Sequence, residues 1–292
     1  MIYTIENDCL SVSVDTLGAQ LSSIYSKVTK TEYLWQGDKK YWTGRAYNLF
    51  PHVGRFVDGK YLVNGKEYQM DRHGFARGMQ FVLSAKTKIS MTFCISATDQ
   101  TKELYPFDFI FFVRFSLKDN RLLVEYKISN VGSEVMYFGL GGHPGFNLPF
   151  DCGEFEDYFV EFDEKCVPTQ IIANEKGLIT TETKSLQLVN DKVIALKHDL
   201  FDNDAIIMKD TSKGVSIKSK LTKKSVRVTF DKMAYLGLWH MPKTDAPYLC
   251  IEPWMTLPSS DGNPESFETK ENIGIVAPDH SFFTEFAIYI NE

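Results

Sequence analysis

The chain has 292 residues, 43% of them hydrophobic and 14% aromatic, which is ample for a large core. A formal net charge of -6 and a pI near 5.6 leave no basic face for a phosphate backbone, so nucleic acid is not an expected partner. No apolar run approaches the roughly 20 residues that span a bilayer, so no membrane partner is expected either.

Taken in chain order, the opening Met1–Asp8 segment has no basic leader followed by an apolar stretch. No signal peptide is expected, and a cytoplasmic protein fits. Leu10, Val12 and Val14 then alternate with polar residues, the two-residue period of a strand with one face on a core. Asn48-Leu49-Phe50-Pro51-His52-Val53-Gly54-Arg55-Phe56 breaks that pattern. Asn64-Gly65, between Tyr61 and Tyr68, suits the two positive φ angles of a tight hairpin.

A second break is Asp71-Arg72-His73-Gly74-Phe75-Ala76-Arg77-Gly78. Arginine presents a fork of donors suited to hydroxyl or phosphate oxygens. A solvated basic face is the ordinary reading of Arg55, His73 and Arg77, but it does not explain the Gly, Pro and aromatic residues around them. Alternation resumes at Ile89, Met91, Phe93 and Ile95. A short helical turn is expected near Asp99–Leu104, stopped by Pro106, before Leu122, Val124, Tyr126 and Ile128 form another strand.

The third break, Gly139-Leu140-Gly141-Gly142-His143-Pro144-Gly145-Phe146-Asn147-Leu148-Pro149, holds a histidine among glycines and prolines. That composition reads as a rigid loop presenting an imidazole, the side chain that titrates nearest neutrality. A turn with a hydrogen-bonded structural histidine is the alternative. Further strands are expected at Val215 and Ile217, at Val226, Val228 and Phe230, and at Phe286, Ile288 and Ile290. Between them, Trp239 reads as core and His240 stays open as a substrate contact, while His52, His198 and His280 read as surface or structural.

The fourth break places Glu252 after the apolar strand Tyr248-Leu249-Cys250-Ile251 and before Pro253-Trp254. A carboxylate at the end of a buried strand loses solvation, which raises its pKa and improves it as a base. A buried Glu paired with an Arg is the alternative. Trp254 and Trp239 are aromatic platforms of the kind that stack on sugar rings, and either could equally be core, with core the better reading for Trp239. The five cysteines are scattered, with no C-x-x-C pair, so neither a disulfide framework nor a zinc cage is indicated, and Cys94 and Cys250 read as small buried hydrophobes. Strands outnumber helix signals throughout. The expected fold is all-β, one domain over residues 1–292, a large sandwich of antiparallel sheets.

These segments resemble the aldose 1-epimerase, or galactose mutarotase-like, family. His143-Pro144-Gly145-Phe146-Asn147-Leu148 resembles its His-x-x-aromatic-Asn-Leu motif, whose His is the catalytic acid. Ile251-Glu252-Pro253 is similar to its late strand carrying the catalytic base, Gly54-Arg55 to its sugar-contacting Arg, and His73-Gly74 to its substrate-binding His. The resemblance covers essentially the whole chain and is nearest to a bacterial branch associated with lactose-utilisation genes. It implies a β-supersandwich that interconverts the α and β anomers of a hexose such as galactose or glucose. His143 would be the acid and Glu252 the base, with Arg55, His73, Arg77, Asp204 and Trp254 binding substrate; Asp202 is the alternative to Asp204. No metal or organic cofactor is expected, and a monomer or homodimer is. His73-Gly74-Phe75-Ala76-Arg77 looks more like the hexose-6-phosphate epimerases, so a phosphorylated hexose is a rival substrate. A non-catalytic sugar-binding protein on the same fold and a glycoside-processing enzyme are the other rivals.

Overall fold

The computed structural model describes residues 1–292. Strands dominate it, and two large antiparallel sheets carry the architecture. One has nine strands, in the spatial order Val193–Ala195, Tyr158–Phe162, Gly214–Ser219, Ser225–Thr229, Ser281–Asn291, Arg121–Asn130, Phe109–Lys118, Ser90–Ser96, Val82–Lys86. The other has seven, in the order Ile179–Ser185, Thr169–Ala173, Ile206–Lys209, Tyr235–Trp239, Tyr248–Trp254, Gly141–Asn147, Ala46–Leu49. A three-stranded sheet (Ile2–Glu6, Leu10–Asp15, Gln20–Ser26) and two short ribbons complete it.

The alternating segments form strands for the reason the pattern gives. Leu122, Val124, Tyr126 and Ile128 are all buried, as are Val226 and Val228, and Phe286, Ile288 and Ile290. Ile89 departs: it precedes the strand Ser90–Ser96 and stays exposed, while Met91, Phe93 and Ile95 go inside. Asn64 and Gly65 take φ of 50° and 74° and close the hairpin whose last pair is Val63 with Lys66. Asp99–Leu104 is the only α-helix, started by a capping box between Thr98 and Thr101. No helix is long and apolar enough to cross a membrane.

The seven-stranded sheet positions the candidate site because both of its faces are covered. Leu236, Leu238, Leu249 and Ile251 point into the 62-residue core shared with the nine-stranded sheet. Their neighbours along the same strands, Tyr235, Trp239, Cys250 and Trp254, point the other way into two smaller apolar clusters. This explains why Tyr248–Trp254 reads as a continuous apolar run rather than an alternating one.

Asn48 ties this sheet to its surroundings. Its amide donates to the Gly18 and Ala19 carbonyls at 2.9 and 2.8 Å, and its Oδ1 accepts the Tyr126 hydroxyl at 2.9 Å. The side chain is buried, so removing it strands several polar groups at once. We predict that Asn48→Ala lowers the free energy of unfolding by about 2–3 kcal/mol with an unchanged m-value in a urea titration.

Candidate active site

The segment Gly139–Pro149 is not a loop. His143 lies within the strand Gly141–Asn147, paired on one side with Ala46–Leu49 and on the other with Tyr248–Trp254. Its glycines serve close packing rather than positive φ. A Cβ on Gly141 would stand 2.7 Å from the Trp254 ring, and one on Gly142 would stand 2.8 Å from Phe286. Glu252 is likewise inside its strand, not at its end, since the strand continues through Pro253 to Trp254.

The register brings the two together. Gly141 faces Trp254 and Gly145 faces Cys250, and continuing that ladder sets His143 directly opposite Glu252. Directly opposed residues on one sheet face are the closest cross-strand neighbours. His143 Nε2 and Glu252 Oε2 are 3.2 Å apart, yet their directions do not make a hydrogen bond, so Oε2 has no protein donor. His143 Nδ1 and Trp254 Nε1 are also buried without a partner. On Glu252's other side the opposed residue is Gly237, where a Cβ would stand 3.2 Å from that of Glu252; the missing side chain leaves room beside the carboxylate.

Above the pair lies a cleft of about 480 Å³ whose walls include Arg55, Arg72, His73, Asp204, Trp239 and Trp254. A larger hollow of about 650 Å³ lies near Tyr235 and Lys270, but its Lys270 and Glu265 neutralise each other at 2.6 Å.

His73 is held by an exchange with Gly54. Its backbone N–H donates to the Gly54 carbonyl at 2.7 Å, and the Gly54 N–H donates to His73 Nδ1 at 3.1 Å. Gly54 takes φ of 77° against Pro258, and His73 itself takes 67°. The Arg72 Nε–H donates to His73 Nε2 at 3.0 Å; a neutral imidazole accepts at one nitrogen only, so this bond and the one from Gly54 N–H belong to alternative tautomers.

Asp204 reaches the cleft and accepts the Trp239 indole N–H at 2.7 Å; Asp202 instead caps Lys243 on the outer surface. Trp239 is therefore a cleft wall as well as core. Arg77 is set back, over the Tyr47 ring at 5.4 Å. His240 does not line the cleft: it is fully buried, linked to His198 at 3.2 Å and to the Met241 carbonyl at 2.8 Å.

Electrostatics follow from burial. Desolvation pushes the Glu252 carboxyl well above the usual range, with Asp204 adding to the rise while the Arg72 charge pulls it back. Desolvation pulls the His143 imidazole down to about 3, with Arg72 and Arg77 acting in the same direction. Burial thus disfavours an imidazolium at His143 in the free protein. Burial favours neutral imidazole beside carboxylic acid. That form holds the same number of protons as imidazolium beside carboxylate. His143, Cys250 and Glu252 also offer ligand atoms within 4.8 Å of one another, donor types that zinc accepts.

Arg72 was visible in the sequence only as one member of a basic cluster. Trp42, which stacks on the His143 ring at 4.8 Å, was not visible as a site residue.

A sequence profile described as aldose 1-epimerase matches residues 1–262. The chain is 33% identical over 289 residues, covering 95% of both chains, to the plasmid-encoded protein LacX of Lactococcus lactis subsp. lactis. A galactose mutarotase related enzyme from Lactobacillus acidophilus superposes with a TM-score of 0.95 at 34% identity, covering 100% of this chain and 98% of that one. A galactose mutarotase-like protein from Lactobacillus casei superposes with a TM-score of 0.93 at 27% identity, covering 99% and 100%.

The cleft's burial gives a direct check. In nuclear magnetic resonance spectra of the free protein, His143 should stay neutral and show no titration between about pH 5 and pH 8, unlike an ordinary histidine.

Proposed function

This chain belongs to the aldose 1-epimerase family, and we propose that it interconverts the α and β anomers of a hexose with Glu252 as base and His143 as acid. The observation that carries the assignment is the 3.2 Å approach of His143 Nε2 to Glu252 Oε2. In a cyclic hexose the hydroxyl to be deprotonated and the ring oxygen to be protonated are bonded to the same carbon. An acid and a base that serve them must both reach the same end of the sugar, within hydrogen-bond distance of adjacent oxygens.

The step balances as follows. Glu252, as carboxylate, takes the proton of the anomeric hydroxyl. The C1–O bond to the ring oxygen breaks, and His143, as imidazolium, gives that oxygen a proton. The open-chain aldehyde turns about the C1–C2 bond, and the two transfers reverse to close the ring on the other face. The pair thus enters ring opening as two opposite charges and leaves it as two neutral groups. A buried site disfavours the charged form, so desolvation favours the opening direction. The ligand's hydroxyls and the Arg72 charge stabilise the carboxylate before reaction. Each positioned group contributes roughly 10²–10⁴-fold.

Arg55, His73 and Asp204 hold the sugar hydroxyls, with Arg72 beside His73. Trp254 and Trp239 wall the ring. Arg77 acts at longer range, through its charge on His143. A neutral hexose is favoured over a hexose phosphate because Asp204 shares the cleft with Arg55 and Arg72 and offsets part of their charge. A glycosidase reading fits poorly, since that chemistry commonly separates its two carboxyls by about 5 Å or more, and here the close partner of Glu252 is an imidazole.

Polarimetry on freshly dissolved α-galactose tests the assignment. His143→Ala and Glu252→Gln should each lower kcat by about 10²-fold or more, and folded variants with wild-type rates would refute it. Asp204→Ala should raise KM far more than it lowers kcat, and turnover of galactose should exceed that of glucose 6-phosphate.

A further inference from the structure

A catalytic histidine is ordinarily oriented by a hydrogen bond at its second ring nitrogen. His143 lacks one: Nδ1 is buried with no partner. What meets the ring instead is aromatic. Trp42 lies face to face with it, ring centroids 4.8 Å apart and planes inclined by 26°. The other neighbours, Tyr47, His73 and Trp239, meet it edge-on, at 6.1, 5.7 and 5.6 Å.

Trp42 is itself held firmly. The Trp35 indole N–H donates to the Trp42 carbonyl at 2.8 Å. Tyr47 and Trp239 meet the indole edge-on at 5.4 and 5.5 Å. Two glycines leave the slot it occupies: a Cβ on Gly44 would stand 2.6 Å from the indole, and one on Gly145 would stand 3.1 Å from it. Trp42 is not part of the cleft wall, so its contact is with the imidazole rather than with a ligand.

We propose that Trp42 is a positioning residue, whose indole face sets the plane of the His143 ring and so the direction in which Nε2 meets the sugar. Edge-on neighbours leave a ring free to tilt, whereas a stacked face resists tilting. The proposal rests on His143 being the acid, and its test separates the two claims. If His143→Ala keeps its rate, the acid assignment fails; if His143→Ala is inactive while Trp42 variants are normal, only this inference fails.

The measurements are kcat and KM for α-galactose in Trp42→Leu and Trp42→Phe, together with thermal unfolding and the ring-current shift of the His143 Cε1–H. Trp42→Leu should lose roughly 10- to 100-fold in kcat, the scale of a small misplacement. Its KM should stay within about twofold, and the ring-current shift should shrink to what the edge-on neighbours contribute. Trp42→Phe should retain the shift and most of kcat. Equal kcat in all three proteins overturns the proposal, as does a rise in KM alone, which would make Trp42 a substrate contact. If Trp42→Leu does not fold, Gly145→Ala decides. Its Cβ would push the indole by a few tenths of an ångström, and kcat should fall severalfold at constant KM. Wild-type kcat in Gly145→Ala overturns the proposal.

Discussion

The site depends on one strand register. Gly141–Asn147 and Tyr248–Trp254 pair so that an imidazole from the middle of the chain stands opposite a carboxylate from near its end. A shift of one residue in either strand would turn one of the two side chains into the core. The register is secured by side chains that permit only one fit. Gly141 admits the Trp254 ring, Gly142 admits Phe286 from the opposite sheet, and Gly237 leaves space beside Glu252. The small residues that look like loop punctuation are thus what lets bulky aromatics lock the strands.

Burial then gives the pair its chemistry. In water an imidazolium and a carboxylate are the ordinary forms near neutrality. Enclosed here, with Glu252 1% exposed and His143 5% exposed, both are pushed toward neutral forms. The proposed reaction runs between these two protonation states of one proton inventory, so the sheet that excludes water also biases the step. The ordering of hydroxyl-binding groups follows the same economy of parts. His73 is fixed by Gly54, Asp204 by Trp239, and the stack of Trp42 on His143 takes the place of a hydrogen bond.

Much of this was legible in the residues. One-sided strands announce themselves by alternation, and Leu122 to Ile128 or Phe286 to Ile290 did so. Arg55, His73, His143 and Glu252 stood out because polar groups interrupted apolar or glycine-rich stretches, and the cleft gathers all four. The errors have physical causes. Gly141, Gly142 and Gly145 suggested a loop because a sequence does not show which glycine is needed for φ and which for packing. Strands covered on both faces lose the two-residue period, which hid the direction of Trp239. Trp42 sits in Tyr41-Trp42-Thr43-Gly44-Arg45, outside any periodic segment, and nothing local to it points to a residue a hundred positions away.

The central claim is that His143 and Glu252 act as one unit on one carbon. The most direct test is a double-mutant cycle on anomer exchange, combining His143→Ala with Glu252→Gln. The account predicts that the double variant is about as slow as the slower single one, because losing either partner already ends the paired transfer. Losses that multiply, as for two independent groups, would contradict it.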